Sequence, residues 1–336
     1  MTPCTPAEEV IDPDLPICDP HHHLWQRSGE RYLLDELLAD TGQTDANGAR
    51  HNVRSTVFVE CAAMYRSDGP AALRPVGETA TVDGIAAISA SGAKGHTRAC
   101  AGIVSFADLQ LGAAVRDVLE AHRAAAPARL RGIRHAAGWD ASPQIRNSHS
   151  NPSAHLLRDA RFREGFAQLA PLGLSFDAWL YHPQLPELTD LARAFPDTTI
   201  VLDHFGGPLG IGPYAGRHDE VYADWKGSID ALARCPNVVA KLGGIHMPIN
   251  GFGWHKRRPL PGSQQLAAAT ARWHLHTIER FGPTRCMFES NFPVDKVSCS
   301  YLVLWNGFKR LAADFSASEK AALFHDTAAR VYRIVS

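Results

Sequence analysis

Short apolar, β-branched runs alternate along this chain with stretches whose apolar residues recur every three or four positions. The runs fall at Ile17–His23, Ser55–Glu60, Arg98–Phe106, Leu130–His135, Leu174–His182, Thr199–His204, Val238–Gly243 and Arg285–Asn291. Their length and their flanking turn residues predict strands. Between them, the spacing predicts amphipathic helices over Leu111–Ala126, Leu156–Leu169, Leu185–Phe195, Val221–Ala233 and Leu266–Phe281. Two more helical patterns, Tyr301–Ala313 and Ser318–Ile334, follow the last run. Eight strands alternating with helices imply parallel βαβ units. The expected fold is therefore α/β, a (β/α)8 TIM barrel with long βα loops and one extra C-terminal helix. An open doubly wound sheet would be expected to carry a glycine-rich phosphate loop. Gly210-Ile211-Gly212-Pro213 has the wrong spacing, and its proline lacks an amide donor. No low-complexity linker divides the chain, so one barrel domain is expected over residues 17–336 behind a tail of residues 1–16.

Three segments after predicted strands are long and rich in aromatic and donor side chains. Residues 61–78 hold Tyr65 and Arg66, residues 139–152 hold Arg146 and His149, and residues 245–262 hold His246, Trp254 and His255. A barrel enzyme builds its pocket from such loops, at the C-terminal ends of its strands.

Composition narrows the class. The 336 residues carry 34 Lys and Arg against 35 Asp and Glu, a net charge of −1, with no basic stripe of the kind a nucleic-acid binder shows. At 45% hydrophobic and 21% charged, the chain has the makings of a packed core rather than of disorder. No apolar run approaches the ~18 residues of a membrane span. The seven cysteines are scattered without a CxxC, and the first 16 residues lack a basic and apolar leader. These features lead us to expect a cytoplasmic protein acting on a small molecule, without nucleic acid or membrane as partner. Apolar faces on the terminal helices would permit a homodimer. The 17 histidines are the one excess.

Three constellations carry chemistry. In Asp19-Pro20-His21-His22-His23, strand alternation sends His21 and His23 to one face and His22 to the other. Two imidazoles so placed can share a metal or a substrate oxygen. His274 and His276 share the same spacing on a helix, where i and i+2 diverge. His204 ends a strand before Phe205-Gly206-Gly207-Pro208, and His182 makes a similar offer after Tyr181. In Arg285–Asn291, parity places Met287, Glu289 and Asn291 on one face, and a carboxylate inside a barrel is costly unless paired, hydrogen-bonded or protonated.

As a set, these motifs resemble the amidohydrolase-2 branch of the amidohydrolase superfamily. The match runs through Asp19–Trp25, Gly132-Ile133-Arg134-His135, Asp203-His204-Phe205-Gly206-Gly207, Lys241-Leu242-Gly243-Gly244 and the Phe-Pro-Val at Phe292. Within that branch the chain looks most like the sugar lactonases and the pyrone-dicarboxylate lactonase, over about Ile17 to Val335. The resemblance implies a barrel in which His21, His23 and His204 surround a reacting carbonyl, with or without a metal. It also implies an acid on the eighth strand. Here the family's usual Gly-Ser-Asp-Trp-Pro reads Glu289-Ser290-Asn291-Phe292-Pro293, so Asn291, which cannot be a base, replaces the aspartate.

The expected activity is hydrolysis of a small anionic or aromatic lactone. His21, His23 and His204 would polarise the carbonyl, alone or around one divalent ion such as Zn or Mn. Glu289 would activate water, and Asn291 would orient it. Arg134 and Arg66, with Lys241, would hold a substrate carboxylate, with Glu60, His182, Tyr65 and Trp179 completing the pocket. A metal-dependent decarboxylase or amide hydrolase, and a non-catalytic binding barrel, are the alternatives.

Overall fold

A computed structural model of the chain describes residues 7–27 and 29–335. Eight parallel strands form the sheet: β1 (Pro16–His22), β4 (Asn52–Val59), β5 (Arg98–Ser105), β6 (Leu130–Arg134), β7 (Ser175–Ala178), β8 (Ile200–Leu202), β9 (Val238–Leu242) and β10 (Cys286–Phe288). They are hydrogen-bonded in that order, as a (β/α)8 barrel requires. The ring closes beyond the last strand. Asn291 N donates to His21 O at 2.9 Å, and His23 N donates to Phe292 O at 2.8 Å. The segment carrying Glu289 and Asn291 is therefore stitched directly to the segment carrying the paired histidines.

β7 and β10 end at Ala178 and Phe288, short of the expected His182 and Asn291, and two elements appear between β1 and β5 that the pattern did not predict. A small antiparallel hairpin, β2 (Trp25–Arg27) with β3 (Glu30–Tyr32), follows β1 and leads into α1 (Leu34–Thr41). A helix with no counterpart in the pattern, α2 (Val76–Ala90), begins at the end of the long segment of residues 61–78. Its sequence, VGETATVDGIAAISA, is made of small and weakly polar residues, so its two faces contrast little and the 3.6-residue period is faint. The other barrel helices match the pattern: α3 (Val115–Ala125), α4 (Ala160–Phe166), α5 (Leu185–Ala194), α6 (His218–Leu232), α7 (Ser263–Phe281) and α8 (Tyr301–Leu311). Asp159 caps α4 by accepting from Phe162 N, and Ser300 caps α8 by accepting from Val303 N.

Strand alternation divides the core in two. Outward side chains such as Phe176, Ile200 and Phe288 pack under the helices. Inward ones, Cys18, Val57, Val59, Val104, Val201, Val239 and Met287, fill the lower lumen. The extra C-terminal segment supplies the floor. It runs through α9 (Ala317–Ala321), a π turn (Ala322–Asp326) and α10 (Thr327–Val331). Ala328, Val331 and Tyr332 then join the lumen cluster. The described part of the N-terminal tail is tied down as well, with Ile11 N on Asn306 Oδ1 and Glu8 accepting from Ser263 N. Met1–Pro6 lie outside the described residues. Six cysteines are free and buried, and no helix among the described residues is long and apolar enough to cross a membrane.

Candidate active site

The polar constellation sits where the lumen opens at the C-terminal ends of the strands. His21 and His23 project inward from β1, while His22 turns outward to Thr56 Oγ1 (2.8 Å) and packs against Phe58. The tautomers follow from fixed partners. His23 Nδ1 lies 2.7 Å from the Val59 carbonyl and must donate to it. That leaves a lone pair on His23 Nε2, which faces His21 Nε2 at 3.3 Å. His21 Nδ1 lies 2.9 Å from Glu289 Oε2 and donates to it, with the Lys241 ammonium 3.2 Å away, so the His21 Nε2 lone pair faces His23 and the Arg134 guanidinium at 3.4 Å. Burial, with the Lys241 charge next in size, pushes the His21 imidazolium below its ordinary range, so the ring is neutral.

Glu289 lies one step above Met287 and has no solvent exposure. Its Oε1 accepts from His204 Nδ1 at 2.6 Å, and its Oε2 stands 2.9 Å from His21 Nδ1. Burial pushes this carboxyl up, but His204 and His21 outweigh burial and hold it at about 2. The approach depends on Gly244, whose φ is +64°. A Cβ there would stand 2.1 Å from His204 Nδ1. His204 (φ +52°) and Asn291 (φ +54°) themselves occupy the left-handed region, which is sparsely populated by residues other than glycine. Such backbone strain clusters at functional sites.

Beside the His204–Glu289 pair, and buried, lies an ion network. Lys241 Nζ is 2.7 Å from Asp177 Oδ2 and 3.0 Å from Asp203 Oδ1, and Tyr332 donates to Asp177 at 2.6 Å. Arg134 reaches Glu60 Oε1 through Nε at 2.7 Å and Asp203 Oδ2 through Nη1 at 3.4 Å. Four buried carboxylates (Glu60, Asp177, Asp203 and Glu289) thus face two cations, Arg134 and Lys241. Two negative charges remain uncompensated when the imidazoles are neutral. A divalent cation matches that excess. Two nitrogens at about 2.0–2.1 Å from a tetrahedral zinc stand about 3.3–3.4 Å apart, which is the His21–His23 Nε2 separation. His21, His204 and Glu289 also offer ligand atoms within 4.8 Å of one another. The donor set fits one divalent metal ion.

Above the histidines opens a cavity of about 500 Å³. Its wall includes three arginines (Arg27, Arg134, Arg146), three histidines (His23, His149, His204), the aromatics Trp25, Trp179 and Tyr181, and Asn291. Among the described residues, no carboxylate lines it. Trp179 packs edge-on against His204, with ring centres 4.9 Å apart.

Several expected binding residues take other roles. Lys241 has no exposure and does not line the cavity; it lies against His21 and compensates Asp177 and Asp203. Glu60 does not line the cavity but holds two residues that do, Arg134 and His149. His182 accepts from Leu209 N at 3.3 Å and packs on Tyr214, so it braces a loop, and its neighbour Tyr181 reaches the wall. Arg66 is exposed and away from the wall, and Tyr65 is half-buried and does not line the cavity either. Asn291 lines the cavity and donates to Asp295 Oδ1 at 3.2 Å. Burial pushes the Asp295 carboxyl up to about 7.

Asp177 and Asp203 are the functional residues that sequence reasoning passed over. Each lies two positions beyond an inward residue of its strand, so parity alone would have placed both in the lumen. Trp25 and Arg27 were missed because the hairpin bearing them is only three residues per strand.

A parallel eight-stranded barrel with a histidine-lined mouth over buried carboxylates defines the (β/α)8-barrel class. The chain belongs to the amidohydrolase family, whose pattern matches residues 18–334. The uncharacterized protein y4mH of Sinorhizobium fredii is 33% identical over 338 residues, covering 96% of this chain and 99% of its own. An L-fucono-1,5-lactonase of Burkholderia multivorans is 31% identical over 213 residues, 61% of this chain and 64% of that protein. A crystal structure of a Burkholderia multivorans amidohydrolase with bound zinc superposes with a TM-score of 0.70 at 25% identity, covering 95% of this chain and 99% of that one.

Proposed function

We propose that the protein hydrolyses a small lactone that carries a negative charge. The observation that carries this reading is the cavity wall above the His204–Glu289 pair, with three arginines and, among the described residues, no carboxylate. Similarity to the fuconolactonase supports a cyclic ester as the reacting group, and the arginines favour an anionic substituent over a bare sugar.

The geometry favours His204 over Glu289 as the general base. Glu289 is sealed beneath the cavity and already accepts the His204 Nδ1 proton, whereas the His204 ring lines the wall. Glu289 would fix the tautomer and stabilise the imidazolium that forms when His204 Nε2 takes a proton from water. Arg134 would polarise the carbonyl and stabilise the developing oxyanion, held in place by Glu60. A zinc or manganese ion, when bound, would be held by His21 and His23 through Nε2 and would supply Lewis-acid polarisation of that carbonyl.

Glu289→Gln should lower kcat for lactone hydrolysis by about 10²–10³-fold with little change in KM, because an amide cannot stabilise the imidazolium. Unchanged kcat would refute the pairing. Metal-dependent decarboxylation or amide hydrolysis is the second reading, favoured by the 3.3 Å separation of the His21 and His23 nitrogens. Near-stoichiometric zinc or manganese on purified protein, with turnover of aromatic acids or amides and not of lactones, would select it.

A further inference from the structure

The cavity wall carries a second histidine–carboxylate pair that the base assignment leaves unused. Glu60 is fully buried, and its two oxygens are divided. Oε1 accepts from Arg134 Nε at 2.7 Å, and Oε2 lies 2.9 Å from His149 Nε2. Burial pushes the Glu60 carboxyl up, but Arg134 and His149 outweigh burial and hold it at about 2. Glu60 is therefore ionised, and His149 Nε2 donates to it. The free ring nitrogen, Nδ1, belongs to a side chain that lines the same cavity as His204.

The loop holds His149 in place from both sides. Ser148 N donates to Gly138 O at 2.8 Å, and Ser150 Oγ donates to Ala136 O. The two histidines differ in access to water. The His149 side chain is 31% exposed and that of His204 is 3% exposed. A residue that gives a proton away each cycle must recover one from solvent, whereas a general base works best when shielded from competing water.

Ester hydrolysis needs both. The C–O bond from water to the carbonyl carbon forms as His204 Nε2 takes a water proton. The bond from that carbon to the ring oxygen then breaks, and the departing alkoxide needs a proton. We propose that His149 is the general acid that protonates the leaving ring oxygen from Nδ1, with Glu60 as the residue that positions it. Atoms and charge balance. Lactone and water give a hydroxy acid, which ionises to the carboxylate, while His204 returns its proton and His149 regains one from solvent. This assignment rests on the lactonase reading and adds the second proton transfer to it.

The test compares leaving groups. Wild type and His149→Ala are assayed on an aliphatic δ-lactone bearing a carboxylate and on a phenyl ester of matched charge, whose phenoxide leaves without help. The expected result is a loss of about 10²–10³-fold in kcat on the lactone and less than about threefold on the phenyl ester. Added imidazole should restore part of the lactone rate, since the side chain is open to solvent. Glu60→Gln should reproduce the leaving-group dependence, and because it also frees Arg134, His149→Ala is the deciding variant. Equal losses on both substrates, or none on the lactone, would overturn the acid assignment and leave lactonase activity standing. A wild-type protein that hydrolyses neither would overturn both.

Discussion

The two ends of the barrel lumen are built from the same strands and the same inward face, yet they obey opposite rules. The lower layer holds Val57, Val201, Val239 and Met287, closed from beneath by Tyr332. Two residues further along three of those strand segments, the inward positions are Asp203, Lys241 and Glu289, all without exposure. One layer is held by apolar burial and dispersion, which tolerate many shapes of similar volume. The other is held by pairing, since each buried charge costs several kcal/mol unless another charge faces it. The lower layer gives the site a rigid base, and the upper layer keeps its charges only while every partner is present.

The largest test of that contrast is Lys241→Met. It leaves Asp177 and Asp203 without their shared ammonium and removes the positive charge 3.2 Å from His21. Chemical denaturation should show a loss of about 3–5 kcal/mol, with activity abolished. A loss below 1 kcal/mol would mean that the upper layer does not depend on pairing. Met287→Ala in the lower layer should cost about 2–4 kcal/mol through the cavity it leaves. In this case kcat/KM per folded molecule should stay within about twofold, because no donor or acceptor of the site is touched. A large kinetic defect would show the two layers to be mechanically coupled.

The smallest and most conditional effect concerns Glu78 on α2, which sits beside the site and accepts from Cys61 N and Ala63 N. Burial, with repulsion from Glu60 second, pushes its carboxyl from 4.5 up to about 8. An acid whose pKa is raised by folding contributes stability that is full below its unfolded value, about 4.5. That contribution is lost as pH rises through about 8. The wild-type Tm should fall between pH 5 and pH 8 by more than that of Glu78→Gln, with the two most alike in trend below pH 5. Parallel curves across that range would exclude the buried-acid assignment.

Much of this was legible in the chain. Strand ends agree to within a residue at β6 and β9. At β10 the run reads to Asn291 but the strand ends at Phe288, where the chain leaves extended geometry to reach φ +54° at Asn291. Helix α2 was hidden by its small residues. The inward pointing of His21, His23 and Glu289 followed from alternation. Glu60 and His182 showed the limit of such reasoning: both end strand-like runs, yet neither lines the cavity.

The sequence by itself determined which residues face inward and where along each strand the lumen changes from apolar to charged. Alternation with a period of two is a local property of the backbone. Only the tertiary structure decided the partners. His204 meets Glu289 across 85 residues, Arg134 meets Glu60 across 74, and His149 meets Glu60 across 89. Barrel closure and strand register set those encounters. Whether a histidine here is neutral, a base or an acid depends on which charge stands within about 3 Å of it, and no local pattern specifies that.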